Sequence, residues 1–358
     1  MQPQSYLPAL LQQLRPVPVP EGSSSREIVR RAIEFEDPPR IPYYFLFHPS
    51  ASDIVIVAPR EASPEGPREA RDAAIGRTYV DRWGVKYETT GRAFGRAIEH
   101  PLADLAKVKD YRLPNLTASL RWVERLLPLA EWGRKYVVGY NPVQMVETMR
   151  SLMGFEALML APNDQPDGLH ALLERLTEKT IDVVRHYGAT GRIHGFLTAE
   201  DWGLQTSLQM NVDTFREHFA PYYSRIIDAC HEQRMHFMWH NCGWIVDMFP
   251  DMIDLGVDVV QLDQPRLMGH QNLIDGIGGK ICMWNTVDIQ WSTTVGTRDE
   301  DIRNEVIEML RAYDVRRRGG GFIAKHYPQP WDIELTAERQ RLIYETFMAN
   351  GCGEATQA

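Results

Sequence analysis

Apolar positions first recur at a helical spacing in Ile28, Val29, Ala32 and Ile33, and an aromatic-rich stretch over 41–47 then reads as a strand behind Pro38-Pro39. From residue 117 the pattern becomes regular. Helical text at 117–132 leads to a strand at 135–141, helices across 143–160 and 167–187 lead to a strand at 192–198, and a helix at 213–234 leads to a strand at 236–240. Strands at 258–263, 280–285 and 320–325 follow, separated or closed by helical text at 246–255, 270–277, 298–313 and 336–349. Repeated strand–helix units imply a parallel sheet covered by helices, and a count near eight predicts an α/β fold closed into a (β/α)8 barrel. Functional side chains are then expected just beyond the strands, at their C-terminal ends.

The chain outside this alternation reads differently. Residues 1–25 carry Pro3, Pro8, Pro16, Pro18 and Pro20 and then Ser23-Ser24-Ser25, the composition of an N-terminal arm. Between about 50 and 116, Pro59, Pro64, Pro67, Pro101 and Pro114 separate short pieces, which predicts an elaborated insertion near the barrel mouth. The expected organisation is therefore an arm, one barrel domain over 26–349, and a tail at 350–358.

Composition narrows the function more than the fold. A formal net charge of −9 withholds the concentrated positive field that a nucleic acid or an anionic membrane requires. No stretch approaches the length of a bilayer span, and Met1-Gln2-Pro3-Gln4 lacks the basic-then-apolar order of a secretory signal, so a cytoplasmic location is expected. Four cysteines in 358 residues make no disulfide framework and suit a reducing compartment. The Walker-type phosphate loop, the dinucleotide fingerprint and Gly-x-Ser-x-Gly are all missing from the sequence.

The most chemical segment is Met235-His236-Phe237-Met238-Trp239-His240-Asn241-Cys242-Gly243. Residues two apart on an extended chain point the same way, so the His240 imidazole and Cys242 thiol converge, and one nitrogen with one sulfur suits a borderline-soft ion such as zinc. A packed, satisfied His–Cys pair is the plainer alternative. Further donors are expected from other strand ends: Glu200 and Asp201 after 192–198, Asp263 and Asp288 after two more strands, and Lys325 with His326 after 320–325. Each could instead cap a helix or pair with an arginine. The same ends are rich in aromatic residues, among them Tyr44, Phe47, Trp202, Trp284 and Tyr327, which suggests an apolar pocket for a small organic substrate. Met145, Met149, Met153 and Met159 read as ordinary helix packing, and Cys230 and Cys282 as core thiols.

Several segments together resemble the uroporphyrinogen decarboxylase superfamily, over about residues 26–349. They are Arg26-Glu27-Ile28-Val29-Arg30-Arg31-Ala32, Pro39-Arg40-Ile41-Pro42, Asp81-Arg82-Trp83-Gly84 and His100-Pro101-Leu102-Ala103-Asp104, then Glu200-Asp201-Trp202-Gly203-Leu204-Gln205, Pro221-Tyr222-Tyr223, His240-Asn241-Cys242-Gly243, Asp288-Ile289-Gln290 and Gly296-Thr297. The resemblance implies a (β/α)8 barrel and two branches of activity, cofactor-free porphyrinogen decarboxylases and zinc-dependent corrinoid methyltransferases. The decarboxylase branch grips substrate carboxylates with an N-terminal arginine-bearing segment, whereas the stretch here is Phe47-His48-Pro49-Ser50-Ala51-Ser52. The methyltransferase branch binds zinc through His-x-Cys and a distant cysteine. His240 and Cys242 match the first half, and Gly320-Gly321-Phe322-Ile323-Ala324-Lys325-His326 stands where the distant cysteine is expected.

The resemblance thus implies Zn2+ held by His240, Cys242, His326 and Glu200 or Asp201, with Asp201, Asp288 and Lys325 as catalytic residues. Substrate would lie against Tyr44, Phe47, His48 and Trp202, with Gln205, Trp284 and Tyr327 completing its surroundings. The expected reaction moves a methyl group between a small methylated or methoxylated substrate, or a thiol, and a corrinoid (cobalamin) held by a partner protein. A metal-free decarboxylase of a small carboxylated substrate is the alternative. The assembly state is left open, a homodimer included.

Overall fold

In a computed structural model of the chain, residue 13 and residues 19–45, 52–59, 75–90, 95–327 and 333–351 are described. Their strands divide between two sheets. Eight of them, β1 (Tyr43–Tyr44), β2 (Ile54–Val57), β6 (Tyr136–Tyr140), β7 (Gly195–Ala199), β8 (His236–Asn241), β9 (Val259–Leu262), β10 (Cys282–Asn285) and β11 (Phe322–Lys325), form one sheet; β3 (Thr78–Val80), β4 (Lys86–Glu88) and β5 (Arg96–Glu99) form an antiparallel meander. The large sheet is parallel throughout, in the order β1-β11-β10-β9-β8-β7-β6-β2. Asp53 spans its two ends: its amide donates to Tyr43 O (2.7 Å), while its carbonyl accepts from Tyr136 N (3.0 Å). The result is a nearly closed (β/α)8 barrel.

Ten helices of six residues or more cover the barrel among the described residues: α1 (Ser25–Ile33), α2 (Thr117–Trp132), α3 (Met145–Met153), α4 (Phe155–Asp164), α5 (Pro166–Ala189), α6 (Ala220–Glu232), α7 (Phe249–Asp254), α8 (His270–Ile277), α9 (Asp299–Tyr313) and α10 (Ala337–Asn350). Ser24 caps α1 by accepting from Glu27 N (3.2 Å), which satisfies one of the orphan donors of the first turn. The apolar stripe read from sequence, Ile28, Val29, Ala32 and Ile33, is buried throughout. Full burial of an Ile or Val side chain is worth about 1.5–3 kcal/mol, so this short helix is held by packing rather than by propensity. Val29 and Ile33 join the cluster that fills the barrel interior, with Tyr44, Ile54, Tyr136, Val138, Leu197, Met238, Val259, Cys282, Trp284 and Ile323.

One strand lies where the sequence suggested irregular chain. β2 falls inside the stretch from about 50 to 116, so that stretch supplies a barrel strand before its elaboration begins. Ile54-Val55-Ile56-Val57 has no polar–apolar alternation because parallel barrel strands bury both faces, and its neighbours Pro49 and Pro59 give it the look of broken chain. The meander that follows carries two motifs of the family resemblance in structural roles. Asp81 Oδ1 accepts from Trp83 N and Val85 N (both 2.9 Å) and makes the β3–β4 turn. His100 Nδ1 meets Ser151 O (2.7 Å) and Leu102 N donates to Leu152 O (2.9 Å), fastening the insertion to α3.

Among the described residues, no helix is long and apolar enough to cross a membrane.

Candidate active site

β7 and β8 run side by side with Ala199 opposite His240, and the alternation carries Asp201 and Cys242 to the same side just beyond the strand ends. Cys242 Sγ lies 3.6 Å from His240 Nε2, and Cys242 N donates to Asp201 Oδ1 (3.2 Å). Donor atoms of Asp201, His240 and Cys242 all fall within 4.8 Å of one another, and this is the one such trio of His, Cys or acidic residues among the described residues. It sits at the C-terminal end of the barrel, where the sequence placed it.

Two glycines allow that approach. Gly203 and Gly243 face each other across the strand ends: a β-carbon on Gly203 would lie 2.6 Å from Cys242 O, and one on Gly243 would lie 2.5 Å from the carbonyl carbon of Gly203. Gly243 also has φ +79°, in the left-handed region. Only glycine lets the two loops pass this closely.

The register builds the site in two rows. Ala199, His240, Gln261, Trp284 and Ile323 are consecutive partners across β7, β8, β9, β10 and β11. Two residues further along the chain come Asp201, Cys242, Asp263 and Lys325, the rim of the mouth. Lys325 Nζ lies 2.5 Å from Asp263 Oδ1 in a buried ion pair. Burial opposes ionisation of Asp263, yet the Lys325 ammonium and the His240 ring outweigh it and hold the carboxyl below its ordinary value. The Cys242 thiol moves the other way. Burial, then the carboxylates of Asp201 and Asp263, push its pKa well up, with Lys325 opposing.

This electrostatic setting fits a cation. Buried beside two carboxylates, the thiol stays protonated despite the Lys325 ammonium, and a divalent ion would reverse that preference. With Zn–S about 2.3 Å and Zn–N about 2.1 Å, a tetrahedral ion separates its sulfur and nitrogen donors by about 3.6 Å. Cys242 Sγ and His240 Nε2 stand at that separation. Three protein donors with one position left open are the count a catalytic zinc site uses, and Asp201, His240 and Cys242 offer three.

The remaining expected residues are distributed unevenly. Glu200, adjacent to Asp201, points the opposite way: its Oε2 accepts from Val146 N (2.9 Å) and Glu147 N (3.3 Å), and its Oε1 accepts from Thr198 Oγ1 (3.0 Å). It caps α3 from a neighbouring strand and is not brought to the trio. Alternation likewise turns His326 away from Lys325, and its ring stacks on Phe45 (centroids 5.6 Å apart, 17° between planes). Asp288 Oδ1 accepts from Gln290 N and Trp291 N (both 3.0 Å), shaping its own loop, with burial raising its pKa. Trp202 packs edge-on against Phe215 and Phe219 (centroids 5.0 and 5.1 Å) outside the barrel. Gln205 is exposed on a loop, Tyr327 is half-buried just beyond β11, and Phe47 and His48 lie outside the described residues. Tyr44 and Trp284 do meet inside the barrel, edge to face (5.2 Å, 80°).

Other residues near the trio were not singled out from the sequence. Glu147 on α3 is pushed up to about 7, chiefly by burial, with Arg150 opposing and Asp201 adding to the rise. Arg150 Nη2 lies 3.2 Å from Glu147 Oε1 and donates to Asp201 O (3.3 Å), and Gln209 Nε2 donates to the same carbonyl (2.5 Å). Helix position gives no hint that Glu147 reaches the mouth. Gln261 could have been found, because it stands two residues before Asp263 on the same strand.

The fold and the rim define a class: a parallel (β/α)8 barrel with a nitrogen, sulfur and oxygen donor set at the C-terminal ends of its strands. The model of the uroporphyrinogen decarboxylase (URO-D) family matches residues 139–325, and the chain belongs to that family. No curated protein matches it. Among solved structures, it is similar to the intracellular xylanase TsXylA of Thermoanaerobacterium saccharolyticum (11% identity over 56% of this chain and 69% of that one, TM-score 0.36). A glycosylated endo-β-1,4-xylanase of Gloeophyllum trabeum (10%, 62% and 73%, TM-score 0.38) and the Old Yellow Enzyme of a Pichia species (8%, 96% and 89%, TM-score 0.38) are also similar. Likenesses this slight carry no argument about function.

Proposed function

We propose that this protein is a zinc-dependent methyltransferase, exchanging a methyl group between a heteroatom of a small substrate and a corrinoid carried by a partner protein. One observation carries the reading: Asp201, His240 and Cys242 offer one oxygen, one nitrogen and one sulfur within 4.8 Å at the barrel mouth. Zinc held there supplies Lewis acidity, lowering the proton affinity of a thiol, ether or amine heteroatom.

The chain's own groups do the rest. Asp201 and Asp263 hold negative potential at the rim, and Lys325 keeps Asp263 ionised beside His240. Glu147, with its pKa pushed up to about 7, is suited to accept or return a proton near neutral pH. Arg150 and Gln209 fix the Asp201 backbone by two hydrogen bonds, which limits how far its carboxylate can stray from His240 and Cys242. The charge balance also speaks to substrate. Two rim carboxylates face one ammonium, a setting better suited to a neutral or cationic substrate than to a polycarboxylate.

The test is metal analysis of the whole protein with a methyl-transfer assay alongside. The reading predicts about one zinc per chain, lost in Cys242→Ala, and demethylation of methylcobalamin by a thiol that depends on that zinc. A folded wild-type protein that takes up no zinc on titration overturns it.

A further inference from the structure

Beneath the rim, His240, Gln261 and Trp284 occupy one row on three adjacent strands. All three side chains are polar or carry a polar atom, and they stand beside an interior cluster of aliphatic, tyrosine and other largely apolar side chains. Trp284 is fully buried, and its Nε1 has no hydrogen-bond partner among the described residues; the same holds for His240 Nδ1. Gln261, 7% exposed, lies between them. Buried polar atoms are nearly always paired, and a row left unmade costs stability that packing does not return.

The hydrogen inventory says what is missing. An indole nitrogen can only donate. When His240 Nε2 binds a metal or accepts from the Cys242 S–H, Nδ1 carries the ring proton and also donates. Gln261 has an amide that can accept from one neighbour and still donate from its nitrogen. The row therefore holds more N–H donors than the single Gln261 carbonyl oxygen can receive, and a further acceptor is needed to pair them. Directly above, Asp201 and Asp263 make a further negative charge unwelcome, and beside the row Tyr44 packs edge-on against the Trp284 ring.

We propose that the His240–Gln261–Trp284 row is a ligand subsite that receives an uncharged oxygen acceptor, a carbonyl or ether oxygen, from the small molecule bound in the mouth. Trp284 Nε1 and the Gln261 amide donate to that oxygen, and the ligand's reacting end lies one row higher, against Asp201, His240 and Cys242. The inference rests on the proposed methyltransferase reading only for that last clause, because the subsite is defined by unpaired donors whether or not zinc is present.

The experiment uses the full chain labelled with 15N-tryptophan, the Trp284 indole signal being assigned from its loss in Trp284→Phe. N,N-dimethylacetamide is the probe, since it accepts hydrogen bonds and cannot donate them. A saturable downfield movement of the Trp284 signal is expected, weakened about tenfold in Gln261→Leu, with the zinc content of both proteins measured on the same samples. A signal that stays still at saturating probe, or moves equally in Gln261→Leu, overturns the subsite even if zinc is bound at full occupancy. Loss of zinc with the movement intact would instead count against the methyltransferase reading alone.

Discussion

Gly243 approaches Gly203 so closely that a β-carbon on the first would lie 2.5 Å from the carbonyl carbon of the second. This contact sets how near the loop after β8 comes to the loop after β7, and hence how near Cys242 comes to Asp201. Gly243→Ala is expected to lower stability by on the order of 2–3 kcal/mol, combining a left-handed backbone with a collision. Gly191 has φ +62° with nothing within 4 Å, so Gly191→Ala bears only the first cost, about 1 kcal/mol. Urea unfolding of the two variants measures the difference, and zinc affinity should fall in the first alone.

Ligand roles separate cleanly by substitution. Removing an outer partner of a metal site typically weakens binding by about 10–100-fold, so Asp201→Ala should weaken zinc by at least that much. His326→Ala should leave zinc affinity unchanged, because its ring stacks on Phe45 rather than joining the trio. Competition against a chromophoric chelator reads both. Equal losses would return His326 to the coordination set.

Glu200→Gln and Glu200→Ala should diverge. Burial, and then the neighbouring Glu147 carboxylate, push Glu200 up to about 8 from its ordinary 4.5. A folded-state pKa above the unfolded one contributes stability that is complete below about pH 4.5 and lost as pH rises through 8. Glu200→Gln keeps an acceptor for Val146 N and Glu147 N and removes that loss, so thermal unfolding should show it gaining on the wild type at pH 8 but not at pH 5. Glu200→Ala also escapes that loss but abandons the α3 cap, so it should lie about 1–2 kcal/mol below Glu200→Gln at both pH values.

At the opposite end of the barrel, His194 is held neutral. Its Nδ1 accepts from Val137 N (2.9 Å), and burial, with Arg26 adding to the effect, lowers its pKa from 6.5 to about 4. A depressed folded-state pKa means stability present above about 6.5 and lost as pH falls towards 4. A loss of on the order of 2–3 kcal/mol over that window is expected from this residue. His194→Asn, which keeps an acceptor but cannot protonate, should flatten the acid limb of a plot of unfolding free energy against pH.

The sequence by itself determined the alternation of strands and helices, and with it the barrel, because each element buries a face whose period is written locally. It also determined that His240 and Cys242 converge, since residues two apart on one strand share a side whatever surrounds them. β2 escaped it, as a four-residue apolar run set in text broken by Pro49, Pro59 and Pro64 has no helix-strand rhythm around it to mark it. What only the tertiary structure decided was which residues from other elements complete the site. Glu200 and Asp201 are neighbours in the chain, and a single step of alternation sends one to cap α3 and the other to the mouth; the same step separates Lys325 from His326. Glu147 and Gln261 acquire their surroundings solely from how α3 and β9 are placed against β7 and β8. Distance between side chains on different elements is a property of packing, and no local pattern encodes it.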